Sequence, residues 1–381
     1  MAFSSVDTII DFLEPVTNFH SFNNDAGYNS KQLGSYIDIY TNNFPDVAVA
    51  DLVIVGCSEA RGAGVNKNDN GGVDAIRAHF YNLYHWHTEV KVADIGNIKA
   101  GASLEDTYSA LQQVLGELSA LEKKIVVLGG SHDIMTAQYN VFAVQQKIIE
   151  ATSVDALLDM NTESRLPAEN FLLNLFIREP NYLKHYNHIG FQSYLVHPSM
   201  LETIDKLRFD CYRVGIVKEH IETMEPVIRN AQVFAFDITA IQNSHAPANR
   251  ITPNGFNGEE ACTLMQYAGM SGLANNIGIY GYNYKQDISD LTAKQISHML
   301  WYLMDGIQKG KQEAPIEQRE SFMEFKLMFA DFETMFLQSK KTQRWWMQLP
   351  DKTFVACSGK DYATALNNEI PERWLRAAER L

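Results

Sequence analysis

Short β-rich runs alternate with longer segments of helical spacing along most of this chain, and this alternation is the feature that most constrains its fold. The strand candidates are Val47–Gly56, Glu89–Gly96, Lys124–Gly130, Val154–Met160, His188–Gln192, Gln232–Ile238, Ile277–Gly281 and Phe354–Cys357. Several are apolar throughout, as strands covered on both faces are. The segments with helical spacing are Ser103–Leu121, Met135–Ile149, Glu259–Met270 and Thr292–Gly306. The pattern predicts an α/β fold: a three-layer α/β/α sandwich with a mostly parallel sheet of about eight strands.

The expected domain organisation follows from the chain length and from the lack of a linker in the sequence. The 381 residues can bury a large core, and no proline-rich stretch, low-complexity stretch or internal repeat divides them. We expect a main α/β/α domain over residues 46–315, an N-terminal extension over 1–45, and a C-terminal extension over 316–381 packed on the main domain. Trp345, Trp346 and Trp374 are typical of a packed appendage or a subunit contact. The spacing of Met and Phe through Phe322–Phe336 predicts a buried helical face.

Charge and composition exclude several functional classes. The net charge of −14 argues against nucleic acid or an anionic membrane as the main partner, because both would repel the protein. The four cysteines are far apart and form no CxxC pair, which disfavours a zinc ribbon or a disulfide framework. Neither a basic leader nor a long apolar run is present in the sequence. We therefore expect a cytoplasmic protein that binds a small molecule.

Polar side chains follow three of the predicted strands, where the strands end. His132 comes after the pair Gly129-Gly130, Asp159 lies in the run Leu158–Glu163, and Asp237 precedes Thr239. In an open parallel sheet, ligands bind beyond the carboxyl ends of the strands. Taken singly, each aspartate could cap a helix and the histidine could be an ordinary loop residue. Taken together, one imidazole and several carboxylates are the donors that suit Mn²⁺ or a similar divalent ion.

These motifs resemble those of the ureohydrolases, the family of arginase, agmatinase and formimidoylglutamase. That family has a glycine pair leading to a ligand His, a strand ending Asp-x-His-x-Asp, and a strand ending Asp-x-Asp with a proline-rich loop behind it. The similarity runs from about Val53 to about Gly306. It also includes Gly71-Gly72, Ile76-Arg77, Ala246-Pro247, Thr252-Pro253, Gly255, Asn283, Asp287, Thr292 and Ala293. The resemblance implies an arginase-like fold, Mn²⁺ as cofactor and, as is common in the family, a homo-oligomer.

The resemblance also implies which residues would bind the ions. The first-metal set, mapped onto this sequence, is His132, Asp159, Glu163 and Asp237. The second metal would share two of these carboxylates, but its own His and Asp positions fall on Asn161 and Thr239, which are neutral and weak donors. Two dications bring a charge of +4 against −3 from three carboxylates, and two close cations do not tolerate that imbalance easily. We therefore expect one Mn²⁺ ion rather than two, or none.

The residues that would bind substrate in the family also differ here. The carboxylate that holds a guanidinium falls on Gly281, and the Asp-Pro after the third motif has become Gln242-Asn243. Without that carboxylate a guanidinium loses its main ion pair, so arginase activity is not expected. Asp133 and His245 are further pocket candidates if their loops turn inward.

Two functional hypotheses remain open. The first is a formimidoylglutamase-like hydrolase that cleaves a C–N bond of a linear amidine with one metal or an unusual pair, and the N-terminal extension and overall length favour it. The second is a catalytically silent relative, a pseudoenzyme with one ion or none that serves as a binding or scaffolding protein. Retention of the first-metal set favours the hydrolase, whereas loss of the second set and of the guanidinium carboxylate favours the silent relative. No catalytic residue is assigned.

Overall fold

The main sheet has ten strands, and nine of them form a continuous ladder. The computed structural model describes residues 8–17, 27–65, 71–329 and 332–380; the rest of the predicted N-terminal extension, residues 1–7 and 18–26, lies outside the described residues. The strands of the main sheet are β1 Leu13–Glu14, β2 Asp38–Ile39, β3 Leu52–Gly56, β4 Val92–Ile98, β5 Lys124–Leu128, β6 Ile149–Val154, β7 Leu183–Phe191, β8 Asp210–Arg213, β9 Val233–Asp237 and β10 Asn276–Tyr280. Their order is β1-β4-β3-β5-β10-β9-β6-β7-β8, with β2 also pairing with β4. All pairs are parallel except β1 with β4.

Helices cover both faces of this sheet. The helices are α1 Gly71–Phe80, α2 Leu104–Ala120, α3 Met135–Val144, α4 Pro167–Phe176, α5 Pro198–Lys206, α6 Val214–Glu219, α7 Glu225–Arg229, α8 Gly258–Met270, α9 Leu291–Gly310, α10 Gly359–Leu366 and α11 Glu372–Ala378. On β5, Val126 and Leu128 pack in the core layer of α1, α8 and α9, while Ile125 and Val127 pack in the layer of α2, α3 and α4. Because β5 is buried on both faces, its sequence is apolar at successive positions. The predicted three-layer α/β/α fold is confirmed.

A second, four-stranded antiparallel sheet lies in the C-terminal part of the chain. Its strands, in ladder order, are β11 Phe322–Phe329, β12 Phe332–Ser339, β13 Trp345–Gln348 and β14 Phe354–Cys357. The predicted helical face over Phe322–Phe336 is wrong, because these residues form the paired strands β11 and β12, where Phe325 lies opposite Phe336. The predicted strand Phe354–Cys357 is present, but it belongs to this second sheet.

The second sheet packs against α7 of the main domain. The guanidinium of Arg229 lies 4.4 Å above the ring of Trp346 and donates to the carbonyl of Trp345 at 2.9 Å. Glu225, on the same helix, forms ion pairs with Arg229 and with Arg344. Trp374 of α11 is buried and donates to the carbonyl of Gln348 at 2.9 Å. The tryptophans are therefore packing residues of the C-terminal extension.

Two strands differ from the sequence prediction near the middle of the chain. The strand predicted at Val154–Met160 ends at Val154 instead, since β6 runs Ile149–Val154, and β8 had no predicted counterpart. The first difference matters for the functional site because it moves the strand end from Asp159 to the residue before Asp155. Within the described residues, no helix is both long and apolar enough to cross a membrane.

Candidate metal centre

Four neighbouring strands deliver their carboxyl ends to one point. In the order β5-β10-β9-β6, the chain continues from β5 to His132 and from β10 to Gly281, β9 ends with Asp237, and β6 is followed by Asp155. Because the four strands are parallel, these residues meet at the same edge of the sheet. One ligand atom from each of His132, Asp155 and Asp237 lies within 4.8 Å of the others. The three side chains are buried and form the centre of the candidate site.

Two glycines allow the chain to turn His132 into this centre. Gly129 and Gly130 have φ values of +105° and +68°, a region that side chains rarely adopt. A Cβ atom on Gly130 would lie 2.2 Å from the Ile134 side chain and 2.3 Å from the Glu59 carbonyl oxygen. The His132 ring then packs between the rings of Phe171 and Tyr280, with centroid distances of 4.9 and 5.7 Å. The glycine pair is therefore a geometric requirement for placing the imidazole.

The imidazole faces two carboxylates from the segment that follows β6. His132 Nδ1 lies 2.8 Å from Oδ2 of Asp155 and 3.0 Å from Oδ2 of Asp159. Only the first contact has the geometry of a hydrogen bond, because Asp159 Oδ2 is buried and has no hydrogen-bond partner among the described residues. One N–H cannot point at two oxygens at once. The ligand atoms that lie within 4.8 Å of one another belong to His132, Asp155 and Asp237, which fit one divalent cation. Asp159 lies beside this group, and a cation there could satisfy its unpaired oxygen.

The ionisation of these four side chains is strongly coupled. Burial lowers the pKa of His132, but the nearby carboxylates of Asp155 and Asp159 outweigh burial and raise it well above its usual value. Burial raises the pKa of Asp155, but the hydrogen bond and charge of His132 hold it below its usual range. Burial and the charge of Asp155 raise the pKa of Asp159 to about 7 and that of Asp237 to about 6. Without a cation the cluster therefore retains protons, which a divalent ion has to displace.

The side of Asp155 that faces away from His132 is already satisfied by protein groups. Asp155 Oδ1 accepts hydrogen bonds from the Thr239 hydroxyl at 2.6 Å and from the Leu157 amide at 2.9 Å. Thr239 also donates its backbone amide to Asp237 Oδ1 at 2.8 Å. Leu157, two residues after Asp155, offers no donor atom to a metal from its side chain. The residues here do not fit a second divalent ion, whose charge would raise the total to +4 against three carboxylates.

The structure brings together three of the four predicted first-metal residues. His132, Asp159 and Asp237 converge, but Glu163 is exposed on the surface. Its backbone amide donates to the Asn161 side chain at 3.0 Å in a turn beyond the centre. The fourth residue of the set is instead Asp155, because β6 ends at Val154, six residues before the predicted end at Met160. The predicted second-metal position at Asn161 is displaced for the same reason, and the corresponding position in the observed register is Leu157.

The remaining predicted pocket residues surround the centre at different distances. Gly281 has a φ of +82°, and a Cβ atom there would lie 2.7 Å from Asp237 Oδ1. A side chain at position 281 would therefore collide with a carboxylate of the centre unless that carboxylate moved. The Asn243 side-chain amide donates to the Asn249 carbonyl at 2.7 Å. The backbone amide of Gln242 donates to the Phe256 carbonyl. His245 is exposed.

Asp133 is buried next to His132 but faces another direction. It accepts a hydrogen bond from the Tyr108 hydroxyl and lines a small cavity of about 210 Å³ with Tyr108 and Arg178. Burial, together with the charge of Glu59, raises the pKa of Asp133 to about 7. Asp133 is not part of the three-residue group at the sheet edge.

Comparisons with known proteins agree with the resemblance seen in the motifs. A model of the arginase family matches residues 50–305. A formimidoylglutamase of Streptococcus pyogenes serotype M3 is 26% identical over 138 residues, which is 34% of this chain and 42% of that protein. The sequence match thus spans less than half of that relative's length.

Solved structures share the fold at low sequence identity. The crystal structure of Trypanosoma cruzi formiminoglutamase with Mn²⁺ matches with a TM-score of 0.64 at 17% identity, over 74% of this chain and 99% of that one. Formimidoylglutamase from Bacillus subtilis matches with a TM-score of 0.65 at 16% identity, over 75% and 96% of the two chains. The agmatine ureohydrolase of Thermoplasma volcanium matches with a TM-score of 0.60 at 18% identity, over 75% and 98%. These likenesses concern the fold.

Proposed function

This chain belongs to the arginase family, and we propose that it is a one-ion, formimidoylglutamase-like member that binds a small molecule without hydrolysing it. The proposed ion is Mn²⁺, which is present in the T. cruzi structure of the same fold. Its proposed ligands are His132, Asp155, Asp159 and Asp237. Three carboxylates and one imidazole match the ligand preference of Mn²⁺.

The observation that carries this proposal is the hydrogen bond from Thr239 to Asp155. Its 2.6 Å length places a hydroxyl donor on the carboxylate oxygen that a second cation would need. Leu157 adds an apolar side chain at the neighbouring position, so neither residue replaces the ligands that a second ion requires. The family resemblance implies a reaction that depends on two ions acting on one hydroxide. This chain retains the residues for only one of them.

Position 281, where the family resemblance places a carboxylate for a cationic substrate, has no side chain in this protein. The close approach of Gly281 to Asp237 leaves no room for a carboxylate without a rearrangement. A guanidinium group would therefore lose both the second ion and its ion pair. The groups that remain favour retention of a ligand at the single ion over chemical turnover.

A second candidate function is favoured by the completeness of the first set of ligands. All four of these side chains are buried, and His132 Nδ1 lies within 3.0 Å of two carboxylates. An ion bound there would supply Lewis-acid activation of water or of a substrate oxygen. A one-ion hydrolase of a linear amidine such as formimidoylglutamate is the corresponding activity.

The two candidates are separated by a turnover assay on the full chain loaded with Mn²⁺. The assay measures release of ammonia or formamide from formimidoylglutamate, with arginine and agmatine as parallel substrates and His132→Ala as the control variant. We expect no release above that of His132→Ala with any of the three compounds. Release from formimidoylglutamate that is lost in His132→Ala would contradict the silent assignment and establish the hydrolase.

A further inference from the structure

A large cavity lies at the opposite edge of the main sheet from the candidate metal centre. Its volume is about 870 Å³, which is within the range of small-molecule sites. Glu150, His185 and Asp210 line it from the amino-terminal parts of β6, β7 and β8, and Arg376 and Arg380 line it from the C-terminal extension. Along β6, Glu150 is five residues from Asp155, or about 17 Å at ~3.3 Å per residue. The cavity is thus a separate place in the fold, at a junction between the main domain and its extension.

One carboxylate in this cavity is shared by three basic groups. Asp210 Oδ1 accepts from Arg376 Nη1 at 2.6 Å, and Oδ2 accepts from His185 Nε2 at 3.0 Å and from Arg380 Nη1 at 3.2 Å. Burial would raise the pKa of Asp210, but His185 and the two arginines lower it to about 2. Two permanent guanidinium charges therefore face this ionised carboxylate, and Arg376 also pairs through Nε with Glu372 at 3.1 Å.

Several donors near this carboxylate are not used by the protein. The hydrogen bonds of Arg380 in the described chain are made through Nη1, which leaves Nε and Nη2 for another acceptor. Lys184 lines the same cavity and forms no hydrogen bond or ion pair with the described residues. Glu150 also faces the cavity, and burial raises the pKa of its carboxyl group. The spare donors of Arg380 and Lys184 are cationic, and the cavity is also lined by the carboxylates of Asp351, Asp361 and Glu372.

We propose that this cavity is a binding site for a small molecule that carries a carboxylate, held by Arg380, Arg376 and Lys184. Guanidinium groups bind carboxylates through paired, charge-assisted hydrogen bonds, and the junction of a domain with an appendage is a common place for such sites. The C-terminal extension thereby supplies two of the three proposed contact residues, which gives it a role beyond packing. Metal binding at the other edge of the sheet is independent of this site.

Calorimetric titration of the full chain, equilibrated with Mn²⁺, tests this site. The probes are succinate, which offers only carboxylates, and L-glutamate, which adds an ammonium group; putrescine, a dication without a carboxylate, is the negative probe. We expect saturable binding of succinate, L-glutamate or both, and none of putrescine. Binding of L-glutamate alone would support the site and place the ammonium near Glu150. Absence of binding by both carboxylates, or equal binding of putrescine, would overturn the proposal.

Charge-removing variants then locate the binding. Arg380→Gln and Lys184→Gln are expected to weaken it at least about tenfold each, since each removes a charge-assisted contact. Lys341→Gln removes the same charge from an exposed position of the extension outside the cavity and is expected to change nothing. Arg380 also binds Asp210, so if Arg380→Gln does not fold, the exposed Lys184 decides the matter alone. Unchanged affinity in Lys184→Gln would overturn the proposal.

His132→Ala separates this site from the proposed metal centre. That variant is expected to lose Mn²⁺ and to keep its affinity for the carboxylate probe. Loss of probe binding in His132→Ala would place the probe at the metal centre and overturn the cavity assignment, while leaving the one-ion proposal standing. Loss of metal with retained probe binding would support both.

Discussion

The two sides of Asp155 have different partners, although both belong to the same carboxylate. Oδ2 faces His132 Nδ1 at 2.8 Å, with Asp159 and Asp237 close by, and this side fits a cation. Oδ1 accepts from Thr239 and from the Leu157 amide, and this side is closed by the protein itself. The fold places both sides equally well. The difference lies in the groups that residues 157 and 239 offer to Asp155, and under the one-ion proposal the same sheet edge positions one ion instead of two.

The hydrogen bonds to Asp155 Oδ1 also bear on the stability of the protein. A buried carboxylate oxygen with no partner costs about 1–3 kcal/mol or more. The Thr239 hydroxyl and the Leu157 backbone amide offset that cost on this side of Asp155. The side that faces His132 has no such substitute, because Asp159 Oδ2 is left without a hydrogen bond.

The largest expected effect on Mn²⁺ binding comes from changing the side of Asp155 that faces His132. Asp155→Asn removes a proposed ligand while keeping its shape, and Mn²⁺ affinity is expected to fall on the order of 100-fold or more, since even groups that only support metal ligands contribute 10–100-fold. Equilibrium dialysis or calorimetry measures the change, and circular dichroism checks the fold.

Glu163→Gln is the matched control for that variant. Glu163 is exposed and lies outside the centre, so its affinity for Mn²⁺ is expected to equal that of the wild type. If Glu163→Gln lost the ion and Asp155→Asn kept it, the ligand register would be the one predicted from sequence, and the present assignment would be wrong.

A second variant adds metal-binding side chains on the side of Asp155 that faces Thr239. Leu157→His with Thr239→Asp supplies an imidazole and a carboxylate and removes the hydroxyl donor on Asp155, so a second Mn²⁺ per chain is expected. Each single variant is expected to remain near one ion, because one added donor does not complete the set. Elemental analysis after dialysis gives the count; a double variant that still bound one ion would show that more than these two side chains closes that side of Asp155.

The protonation of His132, Asp159 and Asp237 predicts that metal binding depends on pH. The pKa of His132 is raised well above its usual value, and the pKa values of Asp159 and Asp237 are raised to about 7 and about 6. Each retained proton must leave before Mn²⁺ binds, so affinity is expected to weaken as pH falls from about 8 to about 6, by about tenfold per pH unit for each proton displaced. Calorimetry in buffers of different ionisation enthalpy counts those protons. An affinity that did not change over this range would contradict the coupled cluster.

The smallest expected effect comes from removing the hydrogen bond between the Thr239 hydroxyl and Asp155. Thr239→Val removes the hydroxyl but keeps the branched shape, and the free energy of unfolding of the metal-free protein is expected to fall by about 1–3 kcal/mol. Urea denaturation measures this difference. A matched change, Thr364→Val, removes a hydroxyl that donates to a backbone carbonyl in the exposed part of α10 and is expected to cost less. Equal stability of Thr239→Val and the wild type would mean that the hydroxyl does not stabilise Asp155.

Three of the four residues predicted as first-metal ligands lie together at the sheet edge, and Glu163 does not, for a physical reason. Strands β5 and β9 are apolar at every central position and end next to His132 and at Asp237, so their ends were predictable. Strand β6 contains Glu150, Thr152 and Ser153, which hide its apolar pattern. Asp155 and Asp159 have the same spacing as Asp159 and Glu163. Spacing alone could not choose between the two registers, and only the position of the strand end did.

The prediction also failed for the C-terminal hairpin of β11 and β12, because its sequence pattern indicated a helix. Phe322, Phe325 and Phe329 recur at intervals of three and four, which is the period of a helix. In the structure the same residues lie on β11, where Phe325 is opposite Phe336 and packs with Trp345. Contacts between the strands of the second sheet, rather than the local period, decide the structure of this segment.

The most direct test of the central claim is the number of Mn²⁺ ions bound by the wild-type chain. Purified protein is dialysed against excess Mn²⁺ and then against metal-free buffer near pH 8, and metal is counted per chain by elemental analysis. The closed side of Asp155 and the open side facing His132 predict one ion per chain, which is lost in His132→Ala. Two ions per chain, or one ion that persists in His132→Ala, would contradict the account.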